Sequence, residues 1–246
     1  MGCTTDQKRG PAGGGRVGGS ITASGVVAKT AFDDSVYFLR RFLRQPRDVA
    51  SIWPSSRALT ARMFADLSIR SGDLLLEYGP GTGSFTVEVE RMRAAGVDVR
   101  YLGIEKDAGM YQFLVRRFPG LDFVNGDATD VMQICRDRHL PRATAVISGL
   151  PMIFLDRSVV ENIFAGTGQC LTPNGVFRTF SYVHSYPSRS AAEVRDLMDL
   201  CFEEYELGTP VLRNLPPAFV LTGRCPRTVE APAELELALA RISDQG

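Results

Sequence analysis

Leu74-Leu75-Leu76-Glu77-Tyr78-Gly79-Pro80-Gly81-Thr82-Gly83-Ser84-Phe85 reads as a buried apolar strand that runs into three glycines at alternate positions and then into a helix. Glycine at those points permits positive φ and lets a ligand approach bare backbone. A turn of this kind belongs to the first crevice of a doubly wound sheet, at the carboxyl ends of its strands, where such folds bind ligands. A dinucleotide fingerprint would need G-x-G-x-x-G, but position 84 is Ser and the third glycine comes one residue early. Glu77, two positions before the first glycine, suits a cationic ligand better than a pyrophosphate. The alternative is a tight strand-to-helix turn that holds no ligand.

Outward from this loop the pattern alternates between strand and helix. The expected strands are Asp73–Tyr78, Val99–Glu105, Asp122–Asn125, Thr144–Ser148 and Gly175–Tyr182. Helical periodicity lies between them, over 84–95, 107–118, 128–138 and 157–170, with a further helix near 191–203. Such alternation predicts parallel strands with helical crossovers on both faces. Two more β-like stretches, Tyr205–Leu212 and Ala218–Gly223, joined through Asn214-Leu215-Pro216-Pro217, predict an antiparallel hairpin at the sheet edge.

Two acids stand at the next strand ends. Glu105 closes the second strand, where a carboxylate can accept both hydroxyls of a ribose. Asp127 follows the third strand in Asn125-Gly126-Asp127-Ala128, placed to meet an adenine amino group. Each acid alone could equally be a helix N-cap.

Lys+Arg 28 against Asp+Glu 28 leaves no net charge, which argues against a whole-protein polyanion binder. The 246 residues have room for one large α/β domain and no second of that size. No run reaches the ~18 apolar residues a membrane span needs, and no hydrophobic signal segment opens the chain. Cys3, Cys135, Cys170, Cys201 and Cys225 are scattered without a C-x-x-C pair, so neither a disulfide framework nor a cysteine metal site is read, and a reducing cytoplasm is the default. The domain reading is a glycine-rich disordered leader over 1–25, an amphipathic helix within 26–48, the main domain over 49–226 and a short tail helix within 227–246.

Residues 1–48 hold eight basic and four acidic residues, so this end is positive although the whole is neutral. Within it Phe32, Val36, Leu39 and Leu43 form one stripe at helical spacing, widened by Phe38 and Phe42 and flanked by Arg40, Arg44 and Arg47.

Glu77 with three alternating glycines, an acid ending the second strand and Gly-Asp-Ala after the third resembles the class I S-adenosylmethionine-dependent methyltransferase fold over roughly residues 50–224. The resemblance implies a Rossmann-like, seven-stranded, mostly parallel sheet with an antiparallel last strand. It further implies that Glu77, Gly79, Gly81 and Gly83 hold the methionine part of S-adenosylmethionine. Glu105 with Lys106 would take the ribose side, Asp127 and Ala128 the adenine, and Ser148 the fourth strand end. The product would be S-adenosylhomocysteine.

The fourth strand end reads Ser148-Gly149-Leu150-Pro151-Met152. Adenine-N6 methyltransferases usually carry an amide where Ser148 stands and an aromatic where Met152 stands, which weighs against a flipped base as acceptor. The chain more closely resembles the small soluble bacterial phosphatidylethanolamine N-methyltransferases. The resemblance rests on the Phe/Arg-rich helix, Trp53-Pro54-Ser55-Ser56-Arg57-Ala58-Leu59, Ser-Gly-Leu-Pro, Phe180-Ser181-Tyr182 and Asn214-Leu215-Pro216-Pro217-Ala218. That likeness implies methylation of phospholipid headgroups toward phosphatidylcholine, with an RNA adenine or small-amine methyltransferase as the alternative.

A lipid acceptor fits the amino-terminal segment, because an arginine-flanked amphipathic helix lies in the interface of an anionic membrane. The expectation is then a monomeric cytoplasmic enzyme, peripheral at the inner membrane face through residues 32–47, with a phospholipid substrate and no nucleic acid. The same helix could instead be a lid over the site. Tyr37 and Trp53 are read either as acceptor-pocket residues or as an interfacial belt, and Trp53 equally as core. An ammonium has no lone pair, so it must lose a proton before attacking a methyl group. His184, after the fifth strand, is a candidate base or headgroup contact, with a plain surface-loop histidine as the alternative. Tyr182 is a candidate to orient the amine through its oxygen or its ring. Arg178 and Arg189 are candidates for the lipid phosphate, unless simply solvated. No metal is read into the site.

Overall fold

The computed structural model describes residues 56–227 together with Leu235 and Leu239. The leader over 1–25, the helix within 26–48, Tyr37 and Trp53 lie outside the described residues, as does most of the tail within 227–246.

The chain folds as α1 Ser56–Phe64, β1 Leu74–Tyr78, α2 Thr86–Ala94, β2 Arg100–Glu105, α3 Ala108–Arg117, β3 Asp122–Asn125, α4 Val131–Asp137, β4 Ala143–Ser148, α5 Arg157–Cys170, β5 Leu171–Tyr182, α6 Arg189–Cys201, β6 Phe202–Leu207 and β7 Ala218–Pro226. The seven strands form one sheet in the order β3-β2-β1-β4-β5-β7-β6. Pairing is parallel from β3 through β5, and β7 runs antiparallel to both its neighbours. This is the seven-stranded, mostly parallel sheet with an antiparallel last strand that the family resemblance implies.

All five residues of β1 are buried, as a central strand covered on both faces must be. Alternation along it divides the core. Leu74, Leu76 and Tyr78 meet α4, α5 and α6, and Leu75 meets the face covered by α1, α2 and α3. Leu235 and Leu239 are helical and join the first of these cores. Their spacing of four puts them on one helix face. Asp107 and Ser188 cap α3 and α6 by accepting the N–H groups of Met110 and Ala191. The chain order reverses between β1 and β4, and at that switch point the paired Tyr78 and Ser148 mark the carboxyl ends.

Three boundaries depart from expectation. β5 begins at Leu171, which pairs with Ala143; the chain then bulges through exposed Pro173-Asn174 before Val176 resumes against Ala145. The 128–138 helix is split into a 3₁₀ turn, Ala128–Asp130, and α4. β6 is Phe202–Leu207 rather than 205–212. Its partner follows only after the long connection 208–217, so no short hairpin turn joins the pair. β6 is the sheet edge, and Glu203, Glu204 and Glu206 supply the charge that discourages further pairing.

Candidate functional site

Gly79, Gly81 and Gly83 all have positive φ, of 61°, 56° and 83°, but each serves a different neighbour. A Cβ on Gly83 would fall 2.3 Å from the Phe118 ring, and one on Gly79 would fall 2.5 Å from a Leu150 methyl. On Gly81 it would meet nothing nearer than 4.0 Å among the described residues. Two glycines therefore let the loop close onto α3 and the fourth strand end, while Gly81 presents bare backbone to open space. Gly149 completes the turn, since a Cβ there would stand 2.7 Å from the Gly79 carbonyl oxygen. The loop is tied from outside by Arg117 Nη1 donating to the Thr82 carbonyl at 3.2 Å and by Thr60 Oγ1 donating to the Ser84 carbonyl at 3.2 Å.

Beneath the loop Glu77 is fully buried. Its Oε2 accepts the Tyr101 hydroxyl at 2.7 Å and the Thr86 hydroxyl at 2.9 Å. Gly103 leaves room for that tyrosine, because a Cβ there would sit 2.7 Å from the Tyr101 hydroxyl oxygen. Oε1 has no partner. Burial pushes Glu77 up to about 7, against the two hydroxyl donors that pull it down, and the Glu105 carboxylate adds to the rise.

Glu105 is buried at the end of β2. Oε2 accepts the Gly81 N–H at 2.9 Å and Oε1 the Asp107 N–H at 2.9 Å. One carboxylate thus joins the glycine loop to the start of α3. Asp127 is an N-cap as well as a site candidate: Oδ1 accepts the Thr129 N–H at 3.0 Å, and Oδ2 pairs with Lys106 Nζ at 2.7 Å. Partial burial works against its charge, but Lys106 and the Thr129 donors prevail and hold it below its ordinary value. Lys106 itself projects into solvent, and Ala128 is buried behind Asp127. Ser148 is buried and turns back on its own loop, its Oγ accepting the Leu150 N–H at 3.2 Å.

An aromatic run leads from the glycine loop to the end of β5. Phe85 meets Phe180 edge-on at 6.2 Å, Phe180 meets Tyr182 at 5.6 Å, and Tyr182 stacks on His184 at 5.6 Å with 12° between the planes. The structure therefore brings Tyr182 and His184 together. Burial raises Tyr182 and lowers His184, leaving a neutral phenol beside a neutral imidazole at pH 7.

The arginines fare differently. Arg178 is 5% exposed, and its Nη1 donates to the carbonyls of Arg62, Met63 and Ala65 at the end of α1. Burial, and then the neighbouring Arg224, push it down to about 10. Through Nη1 the guanidinium fastens the end of α1 to the sheet, whereas its Nε has no partner among the described residues. Arg189 is exposed and pairs with Glu193 at 3.1 Å. Sequence reading missed Thr86, Tyr101, Arg117 and Gly149. Only Gly149, a glycine at a strand end facing another glycine turn, carried a signal.

The strand order, the glycine loop and the acids at two adjoining strand ends define a class: the chain has the class I S-adenosylmethionine-dependent methyltransferase fold. Solved structures agree on that fold. It is similar to the TehB-like SAM-dependent methyltransferase of Corynebacterium glutamicum with TM-score 0.52 and 15% identity, covering 76% of this chain and 97% of that one. It is similar also to the 1,6-didemethyltoxoflavin-N1-methyltransferase of Burkholderia thailandensis with TM-score 0.55 and 16% identity, covering 85% of this chain and 93% of that one. In sequence it is 29% identical over 189 residues to the ornithine lipid N-methyltransferase of Singulisphaera acidiphila, covering 75% of this chain and 93% of the relative. No family model matches the chain.

The site fits a cationic sulfonium ligand. Gly81 offers backbone with room before it, and the orphaned Glu77 Oε1 is a buried acceptor awaiting a donor or a positive charge. The raised Glu77 makes a testable linkage. Without ligand, its contribution to stability is fully present below pH ~4.5 and is lost as pH rises through 7, by roughly 3 kcal/mol. Urea unfolding of the ligand-free chain against Glu77→Gln should show that difference opening between those limits. A difference flat with pH would mean that Glu77 is ionised in the folded chain.

Proposed function

We propose that the chain methylates the primary amine of a membrane-lipid headgroup, with S-adenosylmethionine as methyl donor. The observation that carries the lipid assignment is the similarity to an ornithine lipid N-methyltransferase across nearly the whole of that protein. Ornithine lipid is the headgroup to offer first. Phosphatidylethanolamine, the reading from sequence resemblance, is second, since the relative in sequence is an ornithine lipid N-methyltransferase.

Bound over the glycine loop, the cofactor supplies an electrophilic methyl group on a sulfonium. Glu77 and the backbone at Gly79, Gly81 and Gly83 would hold its methionine part, Glu105 its ribose, and Asp127 with Ala128 its adenine. The remaining work falls to the end of β5. His184, kept neutral by burial, accepts the proton that the acceptor ammonium must lose. Tyr182, stacked on it, holds the imidazole in plane and offers its ring or hydroxyl to the amine. Much of the rate then comes from holding the two reactants in line. In the same reading residues 32–47 dock the monomeric chain on the anionic inner membrane face, and nucleic acid is not a substrate.

The test is transfer of labelled methyl groups into vesicles containing ornithine lipid or phosphatidylethanolamine, with ribosomal RNA in parallel. Label in either lipid supports the reading, and chromatography of the products identifies the headgroup and counts the methyl groups. Label only in RNA would overturn it.

A further inference from the structure

Among the described residues four large hydrophobic side chains are exposed, and three of them share one rim: Leu212 at 75%, Leu215 at 66% and Tyr186 at 40%. Tyr186 follows the turn after β5, and the two leucines lie in the connection from β6 to β7. The two segments are tied together, because Val183 N–H donates to the Pro217 carbonyl at 2.9 Å and the Tyr186 ring lies 5.4 Å from that of Phe219. The rim therefore stands beside Tyr182 and His184.

The connection is built to keep its leucines out. Val211 N–H donates to the Ala218 carbonyl at 2.8 Å and Gly208 N–H to that of Val220 at 2.9 Å, pinning its first half against β7. Asn214 is buried at its centre, its Nδ2 donating to the Pro216 carbonyl at 2.8 Å and its N–H to Val211 at 3.1 Å. With Asn214 turned inward, Leu212, Arg213 and Leu215 are all exposed. A loop this well bonded could have folded its leucines under, yet it displays them.

We infer that Leu212 and Leu215 insert into the headgroup–acyl boundary of an anionic bilayer, with Arg213 at headgroup level between them, and so seat the mouth of the site on the membrane. The inference rests on the reading that the acceptor is a lipid headgroup. Charge supports a bilayer: the stretch 208–219 contains Arg213 and no acid, and Arg195 stands over the Tyr186 ring at 4.1 Å. Area argues against a protein partner or a second copy, since two leucines and a ring edge cover far less than the ~800 Å² per partner of a specific interface. This contact is separate from residues 32–47 and places the end of β5, rather than the amino terminus alone, against the lipid.

The experiment is co-sedimentation of the full chain with vesicles of phosphatidylglycerol and phosphatidylethanolamine in equal parts. Leu212→Ser with Leu215→Ser should lower partitioning by roughly 30-fold or more while leaving S-adenosylmethionine affinity unchanged. Arg213→Ser should lower it about fivefold, and only on anionic vesicles. In a second arm, Leu212→Trp should shift its emission to the blue on adding vesicles, and Val115→Trp on α3 should not. Unchanged partitioning of the double variant overturns the inference. So does a Leu212→Trp emission already blue and indifferent to vesicles, which would mean that another part of the chain or a second copy covers the loop. Lipid labelling by the parent chain together with unchanged partitioning would sink this contact and leave the proposed function standing. Lost partitioning with no lipid labelled by the parent would do the reverse.

Discussion

Glu105→Ala is expected to lower the affinity for S-adenosylmethionine by about 100-fold, measured by calorimetric titration on a chain that still unfolds cooperatively. The size follows from what the carboxylate does twice over. It is the acceptor for the Gly81 and Asp107 N–H groups at 2.9 Å each, and so sets the position of the bare backbone that the ligand must approach. In the proposed complex it is also the acceptor for the ribose hydroxyls, and hydrogen bonds to a charged group are worth ~1.5–3 kcal/mol each. Glu105→Asp tests the geometry apart from the charge: one methylene shorter, it cannot span both N–H groups, and an intermediate loss is expected. Unchanged affinity in Glu105→Ala would remove the ribose from this strand end, although the fold would stand.

The glycine loop was legible in sequence because its constraints are local. Alternating glycines after a run of buried leucines specify a chain reversal with positive φ whatever surrounds it, and all three glycines adopt it. The acids at the ends of β1 and β2 were legible for a related reason: parallel strands in register bring their carboxyl ends to one crevice, so Glu77 and Glu105 needed only the strand pattern to be placed. What sequence could not show was what depends on distant chain. Arg178 sits in a strand like any candidate for a ligand, and only the fold brings its Nη1 to the carbonyls of α1, more than a hundred residues earlier. Tyr101 and Thr86 look like ordinary core and helix residues until the sheet sets both hydroxyls on one oxygen of Glu77. The end of β6 was misread because an edge strand rich in glutamate lacks the alternation that marks a boundary, and the apolar stretch Val211-Leu212 belongs to the loop. Asp127 shows a third case. Its Oδ1 makes the cap that sequence offered as one reading, while its Oδ2 is held by Lys106, a pairing set by the neighbouring strand end.

Alanine at Gly83 and alanine at Gly81 should separate the structural and ligand-binding duties of one loop, although the two sites are two residues apart. At both, a left-handed φ costs an alanine ~1 kcal/mol. Beyond that the sites diverge. At Gly83 the new methyl would lie 2.3 Å from one Phe118 ring atom and 2.7 Å from the next, inside a core where Phe118 is itself packed near Phe123 and cannot simply retreat. Overpacking of that kind adds ~1–3 kcal/mol, so Gly83→Ala should lose about 3 kcal/mol in urea unfolding. At Gly81 the methyl meets open space, so Gly81→Ala should keep most of its stability, within about 1 kcal/mol of the parent. Its cost should appear instead as a loss of S-adenosylmethionine affinity of about tenfold or more, because the methyl occupies the space a ligand needs over the Gly81 backbone. Gly83→Ala with Phe118→Leu supplies the check on the clash itself, since a smaller side chain across from the new methyl should return part of the lost stability. If Gly81→Ala binds as the parent does, the open space before Gly81 is not where the ligand lies, and the site must be drawn from the strand-end acids alone.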